Sequence, residues 1–154
     1  MNVEVDQSGK FENTQTDTVL SVANYKFSYS ILITNKEKRK FFTSIKHLRP
    51  SWTKHMANIQ AFGIMLYLLL KPNVSKFNQI KIDTEYVGHE GVIKDRTLSL
   101  LNRHRRLIFT EQIIFRQIGK NSPSHATAIA VFRKILSPNS TIISQDILKV
   151  IPKE

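Results

Sequence analysis

A stretch of apolar periodicity runs from Trp52 to Leu70, bracketed by Pro50-Ser51 before it and Lys71-Pro72 after it. These are helix start and stop signals. The uninterrupted apolar run at its end, Ala61 to Leu70, is about half of the ~20 residues that a membrane-crossing helix requires. No transmembrane segment is expected, so this helix must be buried inside a domain, against other elements.

The segments around it supply a sheet. Val3 and Val5 alternate with Glu4 and Asp6, the pattern of a half-buried strand that the Ser8-Gly9 pair should end. Thr18 to Ala23 and Phe27 to Thr34, separated by a turn near Asn24, are rich in β-branched and aromatic residues and continue it as an antiparallel meander. Asn35 to Lys40 reads as a turn, and Phe41 to Ile45 as an extension of the sheet or a cover for its edge. Gln79 to Glu85 alternates again as a fourth strand. His89 to His104 has helical spacing, Leu107 to Ile118 reads as a fifth strand, and Ser122 to Ile135 as an Ala-rich helix. The tail with Ile142, Ile143, Ile147, Leu148 and Val150 adds a short strand or helix. The order β-β-β-α-β-α-β-α predicts an α/β fold with a mixed five-stranded sheet flanked by helices. At 154 residues, one domain spanning 1–154 is expected.

The chain has 23 Lys and Arg against 12 Asp and Glu, a formal charge of +11. Such a field attracts polyanions, of which nucleic acid is the commonest because neutralising its phosphates releases condensed counterions. An acidic membrane or protein would also be attracted, and a basic balance can serve solubility alone. The absence of cysteine excludes disulfides and thiolate metal sites and fits a reducing, cytoplasmic setting. The N-terminus alternates apolar and acidic residues where a secretory signal would place positive charge and an apolar block.

The order of elements, with Asp6 in Val-Asp-Gln-Ser-Gly, Asp83 in Lys-Ile-Asp-Thr-Glu-Tyr-Val and His125 in Ser-Pro-Ser-His-Ala-Thr-Ala, resembles the ribonuclease H-like superfamily. In that family the first strand carries an Asp, the fourth ends in a second, and the last helix begins with a third ligand. The resemblance implies a metal-dependent nuclease in which Asp6, Asp83 and His125 hold Mg²⁺ or Mn²⁺, an Asp-Asp-His set similar to that of Argonaute proteins and some junction resolvases. Hard divalent ions prefer oxygen ligands, and imidazole also binds Mn²⁺. The family's catalytic Glu on the first helix has no counterpart: Trp52 to Leu70 contains no acid, and its nearest polar residues are His55, Asn58 and Gln60. Glu85, two residues beyond Asp83, is a substitute carboxylate, and Glu4 stands similarly beside Asp6.

Each candidate also has a structural reading. Asp6 can cap a turn, and His125 can cap a helix or lie exposed. Asp83, an acid ending an apolar strand, calls for solvent or a cation. Among the basic residues, Lys36, Lys38, Arg39 and Lys40 cluster, with Lys46, Arg49 and Lys54 following, as a surface for a nucleic-acid backbone. Lys120 precedes the last long helix, which Asn121 or Ser122 can cap. Arg103, Arg105 and Arg106 suit a helix C-terminus. The alternative to a nuclease is a noncatalytic nucleic-acid-binding module or ribonucleoprotein component on the same fold. A resolvase-like role would imply a homodimer.

Overall fold

The structure, a computed structural model, describes residues 1–103 and 108–152. Arg105 and Arg106, and the first residue of the predicted fifth strand, lie outside the described residues. Three antiparallel strands open the fold: β1 (Asn2–Ser8), β2 (Thr18–Ala23) and β3 (Ser28–Ile33). Two helices follow, α1 (Asn35–Leu48) and α2 (Lys54–Leu70), then β4 (Gln79–Asp83), α3 (Glu90–Arg103), β5 (Ile113–Arg116), α4 (Pro123–Phe132), β6 (Ser140–Ile142) and α5 (Ser144–Leu148). The sheet order is β5-β4-β1-β2-β3-β6, with β1/β4, β4/β5 and β3/β6 parallel.

The expectation of a mixed α/β sheet flanked by helices holds, but the sheet has six strands and not five. The additional strand, β6, is three residues long, too short to show a period-2 pattern. Beyond its ladder with β3, Asn139 adds two bonds: its backbone N–H donates to Ser30 O and its Oδ1 accepts from Ser30 N–H (3.0 and 2.8 Å).

The turn and sheet extension expected over 35–45 are instead α1. Thr34 caps it, its hydroxyl accepting the Glu37 N–H at 3.2 Å. Its inner face is Lys38, Phe41, Phe42 and Ile45, a helical spacing in which one apolar position is filled by a lysine. Lys38 is fully buried, and its Nζ donates to Asn13 O (2.6 Å), Thr18 Oγ1 (2.8 Å) and Lys10 O (3.2 Å). It therefore ties the 10–17 loop to the helix and is not part of a nucleic-acid surface. Arg49 leaves that surface too: its Nε and Nη2 donate to Pro152 O, at 3.2 and 2.6 Å.

Burial pushes the Lys38 ammonium down to about 8, against the nearby charges of Asp17 and Glu12. Below that value folded and unfolded chains both carry the proton. Between it and the ordinary lysine value only the unfolded chain does, so stability rises with pH. A gain of about 2 kcal/mol between pH 7.5 and 9.5 is expected from this group. Urea titrations at both pH values check it, and Lys38→Met should remove the slope.

Alternation divides the sheet's two faces. Val3, Val5, Leu20, Val22, Ile31, Ile33, Ile80 and Ile82 point into the main core with α2, whose residues from Ala61 to Leu70 are all buried. On the opposite face α4 packs across β1, β2 and β3, with Ala128 and Val131 against Val19. Glu4 and Asp6 of β1 point toward α4.

Candidate metal centre

β1 and β4 run side by side in parallel, with Val5 opposite Ile82. One step further along, this register brings Asp6, two residues before the end of β1, next to Asp83, the last residue of β4. The chain leaves β4 at Asp83, and Glu85 turns back to the same place. Ligand oxygens of Asp6, Asp83 and Glu85 all lie within 4.8 Å of one another. Three carboxylates at this spacing could hold a metal ion, and an all-oxygen set suits a hard divalent cation such as Mg²⁺ or Mn²⁺.

Each acid is fixed by a different part of the chain. Asp6 is 6% exposed. Its Oδ1 accepts the Gln7 N–H (2.8 Å), and its Oδ2 accepts from His125 Nδ1 (2.8 Å). Asp83 Oδ1 accepts the Ile118 N–H at 2.7 Å, which anchors it to the segment after β5. Burial raises the Asp6 carboxyl above its ordinary value, although the Gln7 amide and His125 pull the other way. Burial also raises Glu85, to about 7, helped by its hydrogen bond to Asp83 and by the charges of Asp83 and Asp6, with Lys10 opposing. Burial and the neighbouring carboxylates thus favour the neutral form at this site unless a cation offsets the charge.

The three carboxylates that could hold an ion are not the expected Asp6–Asp83–His125 set. Glu85, first a substitute, is a member, while His125 stands behind Asp6. α4 explains the arrangement. Ser122 caps it, accepting the Ser124 N–H at 3.2 Å, so its first turn is fixed above β1. Ser122 and His125, three apart on that turn, meet Glu4 and Asp6, two apart on the strand. Ser122 Oγ donates to Glu4 Oε1 at 2.9 Å. Glu4 is therefore held by the helix cap and does not join the three carboxylates.

No acid reaches the cluster from α2. Asn58 is buried, with an Oδ1 that lacks a hydrogen-bond partner. It lines a cleft with Glu12, Lys54, His55 and Tyr86, in which Tyr86 donates to Glu12 Oε2 at 3.0 Å. Glu12 carries no motif or periodicity that would have singled it out in the sequence, whereas Tyr86 stands in the Lys-Ile-Asp-Thr-Glu-Tyr-Val match.

The open basic residues lie elsewhere. Arg39, Lys46 and Lys54 line a groove of about 290 Å³ between α1 and α2, with Trp52 and Phe42 on its walls. Lys36 and Lys40 are exposed beside it; Lys40 pairs with Glu37 at 3.1 Å and Arg39 donates to Thr14 O at 2.9 Å. Lys120 is exposed just before α4. No helix among the described residues is long and apolar enough to cross a membrane. No family model matches the chain, and no curated protein or solved structure matches it.

Proposed function

We propose that this protein is a metal-dependent nuclease with a ribonuclease H-like fold, hydrolysing nucleic-acid phosphodiester bonds at the Asp6–Asp83–Glu85 cluster. The observation that carries the reading is the convergence of these three carboxylates where β4 ends beside β1, with His125 of α4 on Asp6. An antiparallel β1-β2-β3 meander with β4 parallel to β1 supports the same fold. A divalent ion bound there would supply Lewis-acid stabilisation and an activated water. The chain's own contribution is to fix the carboxylate oxygens before substrate arrives: strands set Asp6 and Asp83, and His125 and the Ile118 amide fix their rotation. The groove with Arg39, Lys46, Lys54 and Trp52 offers phosphate contacts and a ring for a base.

A second reading is favoured by one observation. α2 brings an amide, Asn58, and no carboxylate to this end of the sheet, which suits a noncatalytic nucleic-acid-binding module. One experiment separates the two: incubation with labelled hybrid, branched, single-stranded and structured RNA or DNA substrates, with Mg²⁺ or Mn²⁺ and with chelator. Cleavage dependent on the ion is expected. Salt-sensitive binding to these substrates with no cleavage of any would establish the module in its place. Light scattering tests the homodimer that a junction-cutting role requires.

A further inference from the structure

Away from the carboxylates, two histidines from distant parts of the chain face each other. His55 lies in the first turn of α2 and His89 immediately precedes α3. Their Nε2 atoms are 3.0 Å apart, while the ring centres are 4.7 Å apart. A symmetric V with both Nε2 atoms toward its point satisfies both distances, with the ring planes 69° apart. With each ring centre about 1.15 Å behind its Nε2, a symmetric V brings the axes together roughly 2.0 Å from both nitrogens, at an angle of about 95°, matching zinc–imidazole bond lengths. A direct N–H···N bond in the symmetric arrangement would be bent to about 120°, where hydrogen bonds are weak.

The geometry points to a second metal site, formed by His55 and His89, for Zn²⁺ or a neighbouring late first-row divalent ion. Imidazole pairs favour these ions over Mg²⁺, which prefers oxygen. The site opens on a cleft of about 360 Å³ lined by Thr53, Met56, Ile59, Gln60 and Val92, leaving room for water in the remaining coordination positions. The ion would clip the start of α2 to the start of α3. Because residues 84–89 connect Asp83 to His89, the clip would also anchor the far end of the segment that carries Glu85. The site stands on its own residues and does not depend on the carboxylate cluster being catalytic.

Calorimetry with Zn²⁺ on the full chain tests this, comparing the unmodified protein with His55→Gln, His89→Gln and Asp83→Asn. Melting without zinc serves as the check that each variant folds. The site predicts one zinc ion bound, an affinity reduced roughly tenfold or more by either histidine change, and binding retained in Asp83→Asn. It also predicts a zinc-induced rise in melting temperature that both histidine variants lose. Zinc binding that survives both histidine changes but disappears with Asp83 would place the ion on the carboxylates and overturn the proposal. No zinc binding up to millimolar concentration would reduce the pair to a hydrogen bond and overturn it equally.

Discussion

Asp83→Asn is expected to abolish divalent-ion binding at the cluster and to lower metal-dependent cleavage by about a thousandfold or more, since a bound ion contributes several kcal/mol of charge stabilisation in the transition state. The substitution is nearly isosteric. Asn Oδ1 can still accept the Ile118 N–H, which in the native chain comes to within 2.7 Å of Asp83. The fold should therefore persist, and the loss should appear in ion binding and rate without a matching loss of stability. Glu85 supplies an internal check. Its carboxyl is raised partly by the hydrogen bond and charge of Asp83, so in the variant it should titrate lower, a shift measurable by NMR. Glu4→Gln is the control, because Glu4 is held by Ser122 and lies outside the ligand group. Cleavage unchanged in Asp83→Asn would move the active site elsewhere in the molecule.

Gly9→Ala is expected to cost about 3 kcal/mol of stability or more, from two sources. The backbone at Gly9 has φ +74°, in the left-handed region where a Cβ costs about 1 kcal/mol. An added Cβ would also stand 2.2 Å from Asp17 O and 2.7 Å from Phe132 Cε2. Relieving that overlap must move either the 10–17 loop or α4, a shift in the class of overpacking that costs about 1–3 kcal/mol, occasionally more. Gly88 separates the two sources. It has φ +87°, yet a Cβ there meets nothing within 4 Å. Gly88→Ala should lose only the backbone component, so urea titrations of both variants isolate the clash. Equal losses would show that the approach of Asp17 to Gly9 relaxes freely. Phe132 sits on the helix that carries His125, so ion affinity at the carboxylate cluster should also fall in Gly9→Ala.

Periodicity made most of this architecture legible. The alternation of Val3 and Val5 with Glu4 and Asp6 identified both the strand and its acidic face, and the run to Leu70 identified the buried helix. α1 was hidden because Lys38 fills a position where an apolar residue would have completed the 38-41-42-45 spacing. A buried lysine with three oxygen acceptors has the same letter as an exposed one. The same ambiguity placed Lys38 and Arg49 among surface cations. Within the site, Asp6 and Asp83 followed from the resemblance, which calls for an Asp on the first strand and another ending the fourth. Glu85 followed only from its nearness to Asp83, because the turn that returns its carboxyl begins after the strand has ended. The contact of His125 with Asp6 depends on how α4 crosses β1, and that of His55 with His89 on the packing of α2 against α3. Neither has a sequence signature.

The position of β6 bears on how the chain acquires its fold. The first three strands can pair as soon as they exist, since each follows its neighbour closely. Both flanks of the sheet, however, come from much later residues: β5 at 113–116 on one side and β6 at 140–142 on the other. Until residue 142 is available, the outer edge of β3 has unpaired amides and carbonyls, and α1 lacks the Ser144 amide that donates to Glu37 Oε1 at 2.9 Å. During synthesis the meander would wait with an open edge, the condition under which β-structures find wrong partners. Pairings separated by so much sequence also close slowly. Refolding of this protein should therefore be limited by the arrival of its last strand, with the central hairpins formed well before.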